Sequence, residues 1–334
     1  MTGRRHLLTF GATLGLMAGA MAQDPQFSQF YASAQYLNPA LTGNTPQDRI
    51  ALNYRLQWPG VQPGFETYSF AYDHRFPDAH SGIGGYVLRD QAGQLGLNYT
   101  TAAMSYSYEA RLNYKHALRF GLRAGYTMRG LSQSGFLFAD QVIRDNAANS
   151  IEVGLIERIG YLDMAGGLMY YTEAFWAGFS ANHLNTPNQS LIMDGNATLA
   201  MRFTTHMGYR FPLDGRILRR SDRRMTIATH YKAQAEWDQL DMGAYVDVNH
   251  LNLGLWYRGI PIFKAYQPGY SNSEAVILMA GFQTDKQLRF TYSYDITVSK
   301  LSMKSGGAHE ISLIYEWPKT GKNRKWRTVP CPKF

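Results

Sequence analysis

Between Arg49 and Trp317 the chain alternates apolar and polar residues with a period of two, in short runs separated by turns. In the clearest run, LRFTYSYDIT, every second residue from Leu288 to Ile296 is apolar and the residues between them are polar. The runs ETYSFAYD, MSYSYEA and EISLIYEW repeat this pattern at 66–73, 104–110 and 310–317. Because successive side chains of a strand point to opposite faces, the pattern predicts strands with one apolar and one polar face.

We predict about fourteen strands, many of them about ten residues long, which is the length that crosses a bilayer when tilted. A soluble sandwich also alternates, but an even number of strands of this length is typical of a bacterial outer-membrane barrel. The predicted fold class is therefore an all-β, transmembrane antiparallel β-barrel. The predicted strands lie near 49–59, 65–76, 82–92, 97–110, 117–131, 160–172, 174–185, 197–211, 224–235, 238–249, 251–260, 274–284, 287–298 and 308–317.

The connections between these strands fall into two sets. One set is mostly short, with PDAHS, YTEAF, TDKQ and the Asn249–His250 junction, and the other holds long loops at 132–159, 185–196, 260–273 and 299–307. Short periplasmic turns and long extracellular loops are expected of outer-membrane barrels. An even strand count then places both termini in the periplasm. The exception is an Arg-rich connection on the short-turn side at 212–223.

The first 22 residues predict a cleaved signal peptide. Arg4 and Arg5 precede an apolar run that ends in Ala20-Met21-Ala22, a small-x-small cleavage site. The chain is therefore expected to be exported. We predict a signal peptide at 1–22, a periplasmic-side segment at 23–48, a barrel at 49–317 and a periplasmic tail at 318–334.

Composition favours the barrel and places the positive charge at the chain ends. Charged residues make up 17% of the chain, against about 25% in typical soluble domains, and aromatic residues make up 14%. Of the net charge of +8, the leader carries two and the segment 319–334 carries six, so that the body is neutral. This distribution argues against a nucleic-acid-binding surface on the body.

No pattern in the sequence predicts an enzyme, a metal or a cofactor. The nine histidines are scattered without HExxH, and Cys331 is the single cysteine, which stays free or pairs between chains. Polar residues predicted to face the lumen include carboxylates that could act as acid–base pairs, but a polar lumen explains them more simply. Those carboxylates are Glu66, Asp73, Glu109, Asp241, Asp247, Asp295 and Glu316.

The stretch QDPQFSQFYASAQYLNPALTGN at 23–44, followed by RIALNYRLQWPG, resembles the start of the PorP/SprF family of Bacteroidetes outer-membrane proteins. The matching positions are Gln23-Asp24-Pro25 and Phe27-Ser28-Gln29, then Asn38-Pro39-Ala40 and Gly43, then Arg55, Gln57 and Trp58; Phe30 replaces the commoner Tyr. The ending CPKF, with Cys331, is similar to the family's tail. The resemblance covers the chain that follows the leader.

The resemblance implies a non-enzymatic component of the type IX secretion system and gliding machinery, without a cofactor. It implies as partners outer-membrane lipid, periplasmic ring lipoproteins, and secreted cargo or adhesins with a type B C-terminal sorting domain. The alternatives are a passive diffusion channel, with the N-terminal segment as a possible plug, and an outer-membrane hydrolase. The residues predicted to dock a partner are Gln23, Asp24, Pro25, Phe27, Ser28, Gln29, Asn38, Pro39, Arg219, Arg220, Arg223, Arg224, Arg324, Lys325, Arg327 and Cys331.

Overall fold

The computed structural model describes residues 24–61, 64–92, 96–131, 143, 158–213, 223–260, 265–267, 270–285, 287–299 and 305–317. The predicted signal peptide and tail lie outside the described residues. So do seven of the predicted docking residues: Gln23, Arg219, Arg220, Arg324, Lys325, Arg327 and Cys331.

Fourteen antiparallel strands close into one barrel, because β1 pairs with both β2 and β16. Two further short strands, β12 and β13, pair only with each other, and β11 pairs directly with β14. Closure leaves no open sheet edge, which a membrane-spanning sheet requires. The strands are β1 Arg49–Gln57, β2 Phe65–Phe76, β3 Ser81–Ala92, β4 Leu97–Arg111, β5 Ala117–Leu131, β6 Arg158–Tyr171, β7 Phe175–Asn182, β8 Arg202–Pro212, β9 Arg223–Gln234, β10 Trp237–Val248, β11 Leu251–Gly259, β12 Ala265–Gln267, β13 Tyr270–Ser271, β14 Ser273–Gln283, β15 Leu288–Thr297 and β16 Ala308–Glu316.

The predicted barrel is confirmed, and the alternation of residue types explains why its strands were recognisable. The eighth strand begins at Arg202, later than predicted, because an isolated bridge between Asn188 and Thr198 belongs to the preceding loop. The small β12–β13 hairpin was not predicted, since strands of three and two residues carry no measurable periodicity.

The barrel is apolar outside and polar inside, the reverse of a soluble protein. Met104 and Leu122 on the outer face are 77% and 67% exposed, whereas Arg119 and Glu310 on the inner face are 1% and 0% exposed. Large exposed apolar surface is unfavourable in water and favourable against lipid. None of the helices in the described part of the chain is long and apolar enough to cross a membrane.

The segment before β1 folds inside the barrel. It forms a short helix, α1 (Ala34–Leu37), and a single 3-10 turn over Pro39–Leu41. Asn38 separates the two with an extended backbone, as the residue before a proline prefers, and its Oδ1 accepts a hydrogen bond from the Ala40 amide at 2.9 Å. Pro39 occupies the first position of the 3-10 turn, where a missing N–H costs nothing.

Glycines in the wall let this segment approach the strands closely. A Cβ at Gly121 on β5 would collide with the backbone of Pro39 and Ala40, and one at Gly167 on β6 would collide with Asn38. Gly43 lies against Gly82 on β3 and adopts a φ of +61°, which few other residues tolerate. The inner surface is thus shaped to fit the segment.

Candidate functional site: the plugged lumen

Residues 24–43, here called the plug, cross the lumen from one wall to the other. Ser28 is hydrogen-bonded to β15 and β16, and Asn38 to β6 and β7, which lie on the opposite side of the closed sheet. Ala32, Gln35 and Asn38 are at most 1% exposed. The plug is therefore an internal part of the barrel.

Glu310 on β16 holds the start of the plug. Its two carboxylate oxygens accept hydrogen bonds from the backbone amides of Ser28 at 2.6 Å and Gln29 at 3.0 Å. The Gln29 side chain donates to the Glu310 carbonyl at 3.0 Å and to Ser293 Oγ at 3.1 Å, and accepts from Ser312 Oγ at 2.5 Å. Buried polar groups are costly unless satisfied, so these bonds fix the register of the plug against β15 and β16.

Two buried arginines complete a charged cluster around Ser28. Arg55 on β1 contacts Asp295 at 2.9 Å and Glu310 at 3.1 Å, and Arg258 on β11 contacts Asp295 at 3.0 Å and Asp241 at 3.0 Å. Both guanidinium groups also donate to Ser28 Oγ, at 2.7 and 3.0 Å. The Ser28 hydroxyl in turn donates to Asp295 at 2.6 Å, so it lies at the centre of the cluster.

A second charged cluster lies around Asp24, where the described part of the plug begins. Its carboxylate is 2.7 Å from Arg202 at the start of β8 and 2.7 Å from His183, just after β7. The His183 ring also bonds Asp163 on β6 through Nδ1 at 2.8 Å. Asp24 therefore lies at the end of the barrel opposite to Arg49. The plug is thus not confined to the end of the barrel at which it joins β1.

The two groups at this cluster shift each other's ionisation. Burial opposes ionisation of Asp24, but the nearby His183 and Arg202 outweigh it and hold the pKa of the carboxyl well below its usual range. Burial likewise opposes protonation of His183, but Asp24 and Asp163 outweigh it and raise its pKa to about 9. Both groups are therefore charged at neutral pH, as an ion pair.

Asn38 is bonded to the wall on its other side. Its amide donates to the carbonyls of Leu168 and Phe179, both at 3.2 Å, and lies 3.2 Å from His206 Nε2. These carbonyls belong to neighbouring strands, so one plug residue spans β6 and β7. A glycine on each strand, Gly167 and Gly178, leaves the room that this residue needs.

The plug leaves the lumen beside Arg119 and Asp73. Arg119 on β5 donates to the Thr42 carbonyl at 2.6 Å, and the Asp73 carboxylate on β2 accepts from the Gly43 amide at 3.0 Å. Arg49, at the start of β1, contacts the plug as well and donates to the Tyr31 carbonyl at 3.0 Å. The chain then enters β1 at this end of the barrel.

The predicted docking residues separate into two places. Those of the N-terminal motif lie in the lumen, where all but Asp24 and Pro25 are buried, so an external partner reaches the buried ones only if the plug leaves. They are Asp24, Pro25, Phe27, Ser28, Gln29, Asn38 and Pro39. Arg223 and Arg224 are exposed at the start of β9, at the end where the plug joins β1. For these two arginines docking stays a prediction.

Five of the seven carboxylates considered as acid–base pairs either lie beside an arginine or face outward. Asp73, Glu109, Asp241 and Asp295 each have an arginine within 4.0 Å. Glu66 was predicted to face the lumen, but it shares the outer face of β2 with Tyr68 and accepts a hydrogen bond from its hydroxyl at 2.7 Å. Among the described residues, no group of three or more His, Cys, Asp or Glu could hold a metal ion.

The sequence did not reveal which residues of the wall hold the plug. Nor did the sequence indicate that His230 lies 3.5 Å from Asp241 on the adjacent strand. Arg55, Arg202, Arg258 and Glu310 alternate inward as polar positions of predicted strands, which was the available signal. Their partners are far away in sequence, 282 residues in the case of Ser28 and Glu310.

Comparison with known proteins identifies the family. The model of the family described as "Type IX secretion system membrane protein PorP/SprF" matches residues 20–315. None of the curated proteins matches the chain.

Solved structures similar to this chain are outer-membrane barrels at low identity. The Acinetobacter baumannii outer membrane protein Omp33 is 10% identical with a TM-score of 0.44, over 82% of this chain and 98% of that one. A Pseudomonas aeruginosa FadL homologue is 12% identical with a TM-score of 0.46, over 86% and 94%. The family model, by contrast, matches most of the sequence. The chain belongs to the PorP/SprF family of type IX secretion system membrane proteins and is an outer-membrane β-barrel.

Proposed function

We propose that this type IX outer-membrane component is a closed, non-enzymatic attachment barrel. It binds the periplasmic ring lipoproteins of the system and receives or anchors secreted cargo, or a gliding adhesin, bearing a type B C-terminal sorting domain. The main support for this proposal is the plug. A lumen that is crossed by a hydrogen-bonded segment of the chain suits a protein that attaches partners better than one that lets solutes diffuse through. The predicted signal peptide at 1–22 and basic tail at 318–334 belong to this proposal.

The plug also argues against the main alternative, a passive diffusion channel. Ser28 alone contacts Arg55, Arg258, Asp295 and Glu310, which come from four different strands. An open channel would have to give up these hydrogen bonds between Ser28 and buried charged groups, and buried polar groups are costly when left unsatisfied. A hydrolase is disfavoured because the carboxylates Asp73, Glu109, Asp241 and Asp295 are engaged by arginines.

The end where the plug joins β1 is the proposed docking face for periplasmic lipoproteins. Arg223 and Arg224 are exposed there, and the sequence continues the basic character through Arg219 and Arg220. We propose that the basic tail also begins at this end, because β16 ends beside the start of β1. Exposed cationic groups of this kind accelerate and orient association with an acidic partner.

The test is crosslinking and pull-down of the tagged protein from outer membranes. We expect recovery of ring lipoproteins and of cargo with a type B domain, and reduced lipoprotein recovery from the double variant Arg223→Glu/Arg224→Glu and from a chain lacking 319–334. The double variant Arg89→Glu/Arg158→Glu is the matched control, because these two arginines are exposed near the opposite end.

Recovery of neither partner class would overturn the proposal. If lipoproteins are recovered equally from all variants, the basic face has no docking role. Loss in the control as well would point to a general charge effect.

A further inference from the structure

The outer face of the barrel carries a depression over strands β2 to β6, on the side that faces lipid. Its volume is about 470 Å³, within the range of ~300–1,000 Å³ typical of small-molecule sites. Gly85, Ala102 and Ala124 form its floor, since these small residues lie where neighbouring outward positions carry large side chains.

Large apolar side chains form the rim of this depression. Phe70, Val87, Met104 and Tyr126 are each 45–77% exposed and surround the three small residues. Register places Val87 opposite Ala102 and Ala102 opposite Tyr126, so that the floor and rim alternate along the sheet. The result is a concave apolar surface. Without the three small residues, the lipid-facing surface of these strands would be flat.

A charged group lies beside this depression. The Tyr72 ring lines its edge, and the Tyr72 hydroxyl donates to Asp48 Oδ1 at 2.5 Å. The same oxygen is 2.7 Å from His74 Nδ1, and the Asp48 side chain remains 26% exposed. The hydrogen bond from Tyr72 lowers the pKa of Asp48, so the carboxylate is anionic where the barrel leaves the membrane.

We propose that this depression is a binding site for one phospholipid with a cationic ammonium headgroup, whose acyl chain fills the depression and whose headgroup contacts Asp48. The occupant is argued from three features: the membrane location of the barrel, the apolar lining, and the negative charge at one end. Tyr72 connects the two parts, because its ring borders the depression and its hydroxyl orients the carboxylate.

The proposal is tested on the full-length protein by native mass spectrometry after detergent delipidation. Phosphatidylethanolamine and phosphatidylglycerol with identical acyl chains are added back as probes. We expect one retained lipid, with phosphatidylethanolamine preferred by about fivefold, the size of an exposed ion-pair contribution. Ala102→Phe fills the floor and is expected to reduce retention of both lipids about tenfold.

Two matched controls separate the acyl and headgroup contributions. Leu255→Phe adds an aromatic ring to the lipid-facing side of β11, away from the depression, and is expected to leave retention unchanged. Asp48→Asn is expected to abolish the headgroup preference while phosphatidylglycerol binding persists. Asp285→Asn removes an exposed carboxylate from the β14–β15 turn at the same end and is expected to keep the preference.

Equal lipid retention by Ala102→Phe and Leu255→Phe would overturn the proposal. Equal binding of phosphatidylethanolamine and phosphatidylglycerol by the wild type would also overturn it and would indicate an adventitious lipid only. If the wild type is instead a lipid-free dimer that Ala102→Phe dissociates, the occupant is a second copy and the proposal is also wrong. These outcomes do not depend on recovery of secretion partners.

Discussion

At the scale of single residues, Asp24 is the one charged side chain of the plug, and its ion pairs with Arg202 and His183 are buried. Asp24→Asn keeps the shape but removes the carboxylate that pairs with Arg202 and leaves His183 with Asp163 as its remaining anion. Breaking a buried pair typically costs ~3–5 kcal/mol, so we expect urea unfolding of the barrel to show a loss of about 3 kcal/mol. The control is Asp285→Asn, whose 93% exposed carboxylate also bonds a histidine, His250, and which we expect to be neutral. Equal effects would contradict a special role for the buried cluster.

His183 makes the same cluster sensitive to pH. Its folded pKa of about 9 lies above the unfolded value of ~6.5, so its contribution is complete below pH ~6.5 and is lost as the pH rises through about 9. The depressed pKa of Asp24 works in the opposite direction, and its contribution disappears only in acid. Unfolding measured at pH 6 and pH 9.5 should show a loss of about 3 kcal/mol, which His183→Gln should abolish. An unchanged pH dependence in that variant would contradict the assignment.

Residue roles were only partly accessible from the sequence. The alternation of LRFTYSYDIT correctly predicted that Asp295 faces inward and Tyr292 faces outward. It could not reveal that Asp295 meets Arg55, Arg258 and Ser28, because those contacts join strands far apart in the chain. Periodicity determines which way a side chain points, whereas its partner depends on how the barrel closes.

At the scale of elements, the fit between plug and wall depends on glycines. Gly167→Val places a side chain where Asn38 lies, so we expect it to displace the plug. Its neighbour Gly166→Val is the matched control, because a Cβ there meets only Leu184 and Leu122 at 3.7 and 3.9 Å. The readout is labelling of a Ser33→Cys probe by a polar maleimide, in a Cys331→Ser background. We expect labelling in the Gly167 variant and protection in the Gly166 variant and the parent.

Equal protection in both glycine variants would mean that the plug adapts to the added side chain. The folded state is checked by the shift in gel mobility on heating, so that exposure by unfolding is not mistaken for plug displacement.

The elements differed in how well the sequence predicted them. Strands were found because a lipid-facing and a polar face impose a period of two on every strand. The plug has no such period, since it is surrounded on all sides by the barrel wall. Its Gln, Ser and Asn residues satisfy backbone and wall groups at once, as Gln29 and Asn38 do. Only the resemblance marked it as important.

At the scale of the whole molecule, the plug decides whether the barrel conducts. We expect the wild type to form no stable open channel in planar bilayers, because residues 24–43 cross the lumen between β15–β16 and β6–β7. Deleting 24–43 leaves a wall of buried arginines and carboxylates that water can solvate. If this variant assembles, it should conduct ions.

Gly167→Val provides a second route to an open lumen in a chain of full length, so the test does not depend on assembly of the deletion variant. A displaced plug should give intermittent conductance, with Gly166→Val as silent as the wild type. Porin-like conductance from the wild type itself would contradict the closed barrel and restore the diffusion channel as the better function. Silence from every folded variant would mean that other residues occlude the lumen. The proposed attachment function would not require the plug to move, since a barrel that stays closed can still bind partners at its ends.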